Sequence, residues 1–271
     1  MPKKKTTAPL KRIALVDGDT LVYSAALAAE KAVEWDNDLW TLHADFGDAK
    51  MHFHRILEDI KEAVEYDHII MALTDGSPET RWRNGVMETY KANRKKNRRP
   101  VVWAPLREYV HEVFETFERP GLEGDDVLGI LATRKGEPGE ERVIVSIDKD
   151  LKTIPGLLFN YGHPELGIVT VTEDEADYWH MFQTLTGDSA DGYPGCPGIG
   201  AVTAKKLLDP CWMDIDGERW FDVDVAWSII EKSYQKAKLS TDVALQNARV
   251  ARILRVTDYD FPARKVILWR P

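Results

Sequence analysis

The sequence predicts an α/β fold in which a central, mostly parallel sheet carries flanking helices. Three apolar runs, Ile13–Val16, His68–Leu73 and Val143–Ile147, are typical of buried strands. Longer stretches with apolar residues at helical spacing separate these runs. Strands that alternate with helices pair in parallel through βαβ crossovers, so the three runs are expected to share one sheet.

Apolar spacing also predicts where the intervening helices lie. Helices are expected over Leu21–Val33, residues 53–64, Leu106–Phe117 and Asp125–Arg134. Each is long enough to cross from the end of one strand to the start of the next, as a parallel sheet requires.

The C-terminal part of the chain has a different composition. A Gly/Pro-rich segment precedes a predicted short helix, Ala201–Leu208, and two longer helices are expected over Val223–Ala237 and Thr241–Val256. Lys265–Trp269 is predicted as a late strand able to return to a sheet edge. These features divide the chain into a basic flexible tail (1–12), an α/β domain (13–187) and a helical C-terminal subdomain (188–271).

Composition excludes several classes of protein. With 271 residues, 44% of them hydrophobic, the chain can form a sizeable core. Its longest run without a charged residue is thirteen, whereas a membrane-spanning helix needs about 20 apolar residues, so no span is expected. The basic start, Met1–Arg12, lacks the apolar stretch of a signal peptide. Cys196 and Cys211 have no His at zinc spacing, and we expect an intracellular chain without disulfides.

Charge is distributed unevenly along the chain. The formal net charge of −9 argues against a general nucleic-acid binder. The segment Arg81–Arg99, here called the basic strap, nevertheless has eight basic residues and one acid, Glu88, for a charge of +7. An isolated charge run is more often a solvated helix face. The combination of an otherwise acidic chain with such a strap predicts, in addition, that the protein binds cations and a polyanion.

Acidic residues follow each of the three predicted strands, as Asp17, Asp75 and Asp148. Ligands bind at the carboxyl ends of the strands in an open parallel sheet, so these acids should converge. Six more acids lie in the nearby loops: Glu123, Asp125, Asp126, Asp150, Asp188 and Asp191. One acid at such a position is usually a helix cap or a turn former, but nine acids in one cleft repel one another unless cations neutralise them.

The type of ligand indicates which cation. Sites that offer only oxygen, without His or Cys, suit Mg²⁺ or Mn²⁺ rather than zinc. Nine acids exceed the needs of one ion, and two ions about 3.5–4 Å apart around a phosphodiester fit this surplus.

The basic strap offers contacts to a phosphate or to a single strand. Tyr90 is expected to present a ring on which a base can stack. Helical spacing would put Lys91, Arg94, Lys95 and Arg98 roughly on one side, and Lys96 and Arg99 are the further basic residues expected to contact DNA.

A second contact site is predicted just before the helix Ala201–Leu208. Gly198 and Gly200 allow backbone N–H groups to approach a phosphate, and the start of the helix adds its dipole. Thr203, Lys205 and Lys206 follow in that helix. Contacts of this kind hold the backbone of a duplex and do not distinguish its bases.

Five segments of the chain together resemble, in order, the motifs of the flap endonuclease (structure-specific 5′-nuclease) family. They are VDGDTLVY, TDGSPETRWR with YKANR, LEGDDVLG, SIDKDLKTI and GDSADGYPGCPGIGAVTAKKLL, which together span roughly Ile13–Leu208. Within the family the chain is similar to the 5′–3′ exonucleases of short-tailed phages, including the terminal ARILR and LWRP.

The resemblance implies a 5′–3′ exodeoxyribonuclease with flap-endonuclease-type activity that uses two Mg²⁺ ions, for which Mn²⁺ can substitute. It makes all nine acids metal ligands and places Asp17, Asp75, Glu123, Asp125 and Asp148 at the catalytic centre. It also makes residues 80–100 a helical arch, with Lys91 and Arg94 near the scissile phosphate. The segment around Gly198 and Gly200 becomes a helix–turn–helix that holds duplex DNA, often with bound K⁺.

The resemblance further implies a monomer that acts on duplex, nicked or flapped DNA in the cytoplasm of an infected bacterial host. Phage DNA replication, recombination or primer removal is the expected process, and an RNA–DNA hybrid is a further candidate substrate. Two positions depart from the family pattern: Gly192 stands where Asn is common, and Val202 where Lys is common in the glycine turn. Neither departure removes a metal ligand, and Lys205 and Lys206 can compensate for the second.

Three alternatives share part of this pattern. A haloacid-dehalogenase-type phosphatase also begins with an acid pair, but in Asp17-Gly-Asp19-Thr the glycine lies between the acids, and the class has no use for the strap. A non-catalytic binder of DNA junctions would have lost a metal acid, and none is missing. A PIN-like ribonuclease would share the sheet and the acids without the arch or the C-terminal clamp.

Overall fold

A six-stranded sheet forms the centre of the computed structural model, which describes residues 11–77, 80–93 and 98–271. The strands are β1 (Lys11–Asp17), β2 (Glu30–Trp35), β3 (Leu39–Ala44), β4 (His68–Ala72), β5 (Thr116–Phe117), β6 (Glu140–Val145), β7 (Gly156–Phe159), β8 (Ile168–Val171), β9 (Trp212–Ile215), β10 (Glu218–Phe221), β11 (Tyr259–Asp260) and β12 (Lys265–Val266). The central sheet has the order β5-β4-β1-β6-β7-β8, and every neighbouring pair is parallel except β7 with β8. The predicted α/β fold with a mostly parallel sheet is confirmed.

The helices cover both faces of this sheet and continue into the C-terminal part. They are α1 (Gly18–Ala28), α2 (Phe46–Val64), α3 (Trp82–Val86), α4 (Trp103–Val113), α5 (Gly124–Thr133), α6 (Glu173–Thr186), α7 (Ala201–Leu208), α8 (Val223–Lys236) and α9 (Thr241–Ala251). None of the helices in the described ranges combines the length and the apolarity needed to cross a bilayer.

Strand β1 shows why its sequence is apolar throughout. Ala14 and Val16 pack toward α1, α2 and α4, whereas Ile13 and Leu15 pack toward α5 and the segment after α9. All four side chains are buried. A central parallel strand with both faces covered needs this continuous apolar run, and the buried part of β1 extends to Asp17 at its carboxyl end, whereas Lys11 at its start is exposed.

The C-terminal helices share a third apolar core. Helix α6 packs there with α7, α8 and α9, and the hydroxyl of the buried Tyr234 donates to the carbonyl oxygen of Thr184 at 2.7 Å. Helices α6 and α7 are joined by the Gly/Pro-rich loop, as a helix–turn–helix requires. The domain boundary between residues 187 and 188 stays a prediction.

Several predicted elements differ from the structure, among them the helix predicted over Thr241–Val256, which ends at Ala251. Helix α1 ends at Ala28 instead of Val33, because residues 30–44 form the antiparallel hairpin β2–β3. Asn37 and Asp38 at its tip have φ angles of 64° and 59°, which these short polar side chains tolerate. The predicted helix over Leu106–Phe117 ends at Val113 and is followed by β5.

The late strand is also shorter than predicted and lies elsewhere. Of Lys265–Trp269, only Lys265 and Val266 form a strand, and β12 pairs with β11 instead of joining the central sheet.

The basic strap is not a continuous helix where it is described. Helix α3 ends at Val86, and turns follow over residues 88–93. Lys91 has a φ of 52°, a left-handed conformation that interrupts a right-handed helix. The helical face predicted to contain Lys91 is therefore wrong for this part. Arg94, Lys95 and Lys96, like residues 1–10 of the predicted tail, lie outside the described residues.

Gly129→Ala should destabilise the fold by about 1–3 kcal/mol, the usual cost of overpacking a core. A Cβ on residue 129 would lie 2.2 Å from the carbonyl oxygen of Leu254, so α5 and the segment after α9 would have to separate. Urea denaturation measures the change. Gly85→Ala in α3, where a Cβ meets nothing within 4 Å, is the matched control and should leave the free energy of unfolding unchanged or raise it. Equal effects of the two substitutions would contradict the packing described.

Candidate active site

Three strand ends deliver acids to one cleft of about 870 Å³. Asp17 is the last residue of β1, and Asp75 and Asp148 come three residues after the ends of β4 and β6. The strands end level with one another, since Asp17 pairs with Ala72 and Val16 with Val145. The convergence follows from the parallel sheet itself.

Most of the predicted site residues in the described ranges line this cleft. They are Asp17, Asp75, Tyr90, Lys91, Arg98, Arg99, Glu123, Asp125, Asp148, Asp150 and Asp191. Asp126 and Asp188 do not line it.

Asp17 has two roles at the carboxyl end of β1. It caps α1 by accepting from the backbone N–H of Thr20 at 3.1 Å, and it also accepts from the Ser146 hydroxyl at 2.7 Å. Burial raises the pKa of Asp17, these hydrogen bonds lower it in part, and the nearby Asp148 raises it further. The carboxyl group is thus held rigidly in a site that disfavours its charge.

Asp125 and Asp150 extend the acidic cluster on either side. Burial and then the charges of Asp17 and Asp148 raise the pKa of Asp125 well above its ordinary value. Burial and then Asp148 raise the pKa of Asp150 to about 7, with smaller contributions from Asp188 and Asp191. Each carboxylate therefore feels several others, as predicted for acids gathered in one cleft.

Glu123 lies where the acids meet the basic strap. Its carboxylate accepts from Lys91 Nζ at 2.7 Å, from the Tyr90 hydroxyl at 2.7 Å and from Arg83 at 2.9 Å. Burial alone would raise the pKa of Glu123, but Lys91 and then Arg83 outweigh it and lower that pKa to about 2. Lys91 Nζ also lies 3.6 Å from an oxygen of Asp191, so one ammonium bridges two acids of the cleft.

The structure contradicts the prediction that Asp126 is a metal ligand. Its carboxylate is fully buried and accepts two bonds of 2.7 Å from Arg83, one of 2.9 Å from Trp82 Nε1 and one of 3.2 Å from the Leu254 backbone. With its oxygens committed in this way, Asp126 anchors the start of α5 and has no oxygen directed at the cleft.

The predicted stacking role of Tyr90 is also wrong. The side chain is only 5% exposed, and its hydroxyl donates to Glu123. Its ring packs with Met87 and Tyr193 and cannot meet a base. Tyr90 orients Glu123 instead.

Asp75 is held by Thr80 of its own loop and by Gly121 before α5, whereas Asp188 is held by its own loop. Asp75 accepts from the Gly121 N–H at 2.8 Å and from the Thr80 hydroxyl at 2.9 Å, and these bonds lower its pKa. Burial raises the pKa of Asp188, but the N–H groups of Ala190 and Asp191 outweigh it and lower that pKa.

Several residues that line the cleft were missed from the sequence. Asp19 accepts from the Thr74 N–H at 2.7 Å, and burial is the main cause that raises its pKa to about 6. Its position two residues after Asp17, on the first turn of α1, was a usable signal. Tyr23 and Arg81 also line the cleft and lie within the segments VDGDTLVY and TDGSPETRWR, where they were not singled out, whereas Trp103 and Arg107 have no motif that marks them.

Two cations of the strap already have partners. Arg98 makes two hydrogen bonds of 2.6 and 2.7 Å with Glu30 at the base of the β2–β3 hairpin. Arg99 lies 4.0 Å from the centre of the Trp103 ring. The hairpin that the sequence did not predict therefore positions the far end of the strap beside the cleft.

The glycine loop presents an open surface before α7. Gly198 has a φ of 78°, and a Cβ at either Gly198 or Gly200 would meet nothing within 4 Å. Thr203, Lys205 and Lys206 are exposed on the helix that follows. Backbone and side-chain donors are thus accessible to an anion on this face.

The donor set of the cleft fits hard divalent cations. It consists of carboxylate oxygens, and the burial and mutual repulsion that raise the pKa values of Asp17, Asp125 and Asp150 are what a cation would offset. Across residues 11–77, 80–93 and 98–271, no three His, Cys, Asp or Glu side chains are grouped as a ready-made metal site.

Without divalent metal, the melting temperature should fall between pH 6.5 and 8. Asp150 keeps its proton in the folded protein up to about pH 7, but an unfolded Asp loses it near about pH 3.9. The folded state then binds more protons, and stability is lost as the pH rises through the folded pKa. Starting at pH 6.5 limits the opposite contribution of His180, whose pKa is lowered by burial, because an unfolded His is at most half protonated from that pH upward.

Thermal melts in EDTA measure this profile. Asp150→Asn is the control, because it removes the titrating group and should flatten the profile. A wild-type melting temperature that is constant or rises over this range would contradict the described electrostatics.

Comparison with known proteins adds independent findings. A family model described as the 5′–3′ exonuclease, N-terminal resolvase-like domain, matches residues 12–156. The exonuclease of Escherichia phage T7 is 33% identical over 293 residues, which cover 96% of this chain and 94% of that protein. The exodeoxyribonuclease of Enterobacteria phage T3 is 33% identical over 290 residues, with coverage of 96% and 93%.

A solved structure has the same fold. The bacteriophage T5 flap endonuclease, in a pseudo-enzyme–product complex with DNA and metal ions, aligns with a TM-score of 0.58 over 89% of each chain at 15% identity. The expected likeness to phage exonucleases is confirmed. The chain belongs to the 5′–3′ exonuclease (flap endonuclease) family and is thus a phosphodiester hydrolase.

Proposed function

We propose that the chain is a metal-dependent 5′–3′ exodeoxyribonuclease with flap-endonuclease-type activity. It hydrolyses DNA phosphodiesters near the 5′ ends of duplex, nicked or flapped DNA. The observation that carries the proposal is the cluster of mutually repelling carboxylates at the strand ends, in a cleft whose rim bears Lys91, Arg98 and Arg99. Acids that gather cations and bases that attract a polyanion are the two requirements for cutting a phosphodiester.

Two groups of acids are suited to two Mg²⁺ ions. Asp17, Asp125 and Asp148 form one group, and Asp150, Asp188 and Asp191 form the other; Asp148 links the two, because its charge raises the pKa of both Asp125 and Asp150. Bound Mg²⁺ supplies a water of lowered pKa and offsets charge on the leaving oxygen. Asp75 and Glu123 support these groups from the rim, and Mn²⁺ can substitute because its ligand preference is similar.

Residues of the chain itself hold the substrate. Lys91 extends from the strap to the centre of the cleft and offsets negative charge on the phosphate in the transition state. We assign the same task to Arg94. Arg81 also lines the cleft, and its guanidinium lies 3.5 Å from a Glu123 oxygen. A phosphate that enters the cleft thus meets basic groups on the strap side and acids on the sheet side.

The open glycine loop is the proposed contact for the duplex. The N–H groups around Gly198 and Gly200, with Thr203, Lys205 and Lys206, hold the phosphate backbone, and K⁺ can be shared between the loop and the DNA. Two relatives support the choice of DNA: the phage T3 relative is named an exodeoxyribonuclease, and the T5 structure is described as a complex with DNA and metal ions.

The biological setting follows from the same resemblance. We propose that the chain acts as a monomer in the cytoplasm of an infected bacterial host, in phage DNA replication, recombination or primer removal. An RNA–DNA hybrid is a further proposed substrate, because contacts to phosphates do not depend on the bases.

Digestion of one duplex and one flapped DNA, each labelled at either the 5′ or the 3′ end, tests the proposal. With Mg²⁺ we expect early short products from the 5′ label and progressive shortening of the 3′-labelled strand. Asp148→Asn should abolish cleavage while leaving DNA binding in Ca²⁺ intact. The fold should survive, because Asp148 accepts from the Asp150 N–H at 2.8 Å and an asparagine can accept the same bond.

Two results would contradict the proposal. Tight binding without cleavage in Mg²⁺ or Mn²⁺ would indicate a non-catalytic binder of DNA junctions. Loss of DNA binding in Asp148→Asn would instead refute the role assigned to this carboxylate.

A further inference from the structure

The strap and the second group of acids are joined through their backbones. The N–H of Lys91 donates to the carbonyl oxygen of Asp191 at 2.7 Å. This bond fixes Lys91 in its left-handed conformation, at a φ of 52° that a lysine does not adopt without support. The loop Asp188–Gly192, here called the acid loop, therefore determines where the Lys91 ammonium lies.

Asn93 makes the second connection. Its side-chain Nδ2 donates to the carbonyl oxygens of Ser189 and Ala190 at 3.0 and 3.3 Å. Asn93 is exposed and does not line the cleft, so these bonds are not part of the apolar core or of the catalytic cluster. They hold the strap against the acid loop from the outside.

Gly192 permits the close approach. It has a φ of 77°, and a Cβ there would lie 2.9 Å from the carbonyl oxygen of Thr89 and 3.4 Å from the Lys91 nitrogen. Any side chain at this position would push the strap away from the acid loop. The same Cβ would lie 3.8 Å from the carboxamide oxygen of Asn93, so that side chain occupies the space beside the glycine.

We propose that Asn93 and Gly192 are positioning residues that fix Lys91 relative to Asp188 and Asp191. The strap and the acid loop then move as one unit, so that the Lys91 ammonium and the carboxylates of Asp188 and Asp191 reach the same phosphate together. This inference rests on the proposed function, since it names residues that act through Lys91 and the acid loop in the proposed hydrolysis.

Gly192→Ala and Asn93→Ala test this role in single-turnover cleavage with Mg²⁺. We expect Gly192→Ala to slow cleavage about 100-fold, the effect of a misplacement of about 1 Å in a catalytic group. Asn93→Ala should slow it about tenfold, as expected for the loss of the two hydrogen bonds that its Nδ2 shares between Ser189 and Ala190. The dissociation constant for DNA in Ca²⁺ should change by less than about threefold, because the effect lies in the transition state.

Gly217→Ala is the matched control for the glycine. Gly217 also has a positive φ, 85°, but a Cβ there meets nothing within 4 Å, and the residue lies in the turn between β9 and β10. Gly217→Ala therefore has the backbone strain of a non-glycine residue at positive φ, but it does not touch the strap. Its cleavage rate should equal that of the wild type, and its melting temperature should fall by less than that of Gly192→Ala, which adds a close contact with Thr89 to the same backbone strain.

A double-mutant cycle with Lys91→Ala distinguishes positioning from a general structural defect. If Gly192 acts through Lys91, adding Gly192→Ala to Lys91→Ala should cost less than about threefold more in rate, because the group that it positions is gone. If the rate loss of the double variant equals the product of the two single losses, the proposal is overturned. A wild-type rate in Gly192→Ala would also overturn it. If the wild type itself fails to cleave, the proposed function fails and the inference fails with it.

Discussion

The guanidinium of Arg83 is almost fully buried between the rest of the strap, the start of α5 and the end of α9. It donates to Glu123 and Asp126 and to the carbonyl oxygens of Val250 and Arg252. Removing one partner of such a buried network costs about 3–5 kcal/mol, because the charges left behind have no compensation. The other groups of the cleft depend on this contact: it turns Asp126 away from the acids, lowers the pKa of Glu123 and fixes the base from which Lys91 reaches the cleft.

The acids beyond Arg83 are balanced differently. Asp17, Asp125 and Asp150 face one another in a buried site, and their raised pKa values show that the fold alone does not satisfy their charges. The parallel sheet imposes this arrangement, since its strand ends cannot diverge without breaking the core on both faces. Stability is thus given up at the place where cations and a phosphate are to be bound, as is usual for functional sites.

The sequence allowed the sheet, the strand-end acids and the family motifs to be predicted, because each depends on local periodicity or on a contiguous segment. It did not show which of the neighbours Asp125 and Asp126 faces the cleft. Successive residues of a helix point about 100° apart, and the choice is made by Arg83, far away in the chain. Tyr90 was misjudged for the same reason: its burial depends on Tyr193, more than a hundred residues later. The β2–β3 hairpin was missed because its exposed apolar residues continue the helical pattern of α1.

The proposed hydrolysis requires the cleft to hold two divalent ions between its two groups of acids. Anomalous diffraction from crystals of the protein grown with DNA and Mn²⁺ tests it most directly. We expect two Mn²⁺ peaks, one among Asp17, Asp125 and Asp148 and the other among Asp150, Asp188 and Asp191, with none at Asp126. A cleft without Mn²⁺, or an ion bound to Asp126 in place of Arg83, would contradict it.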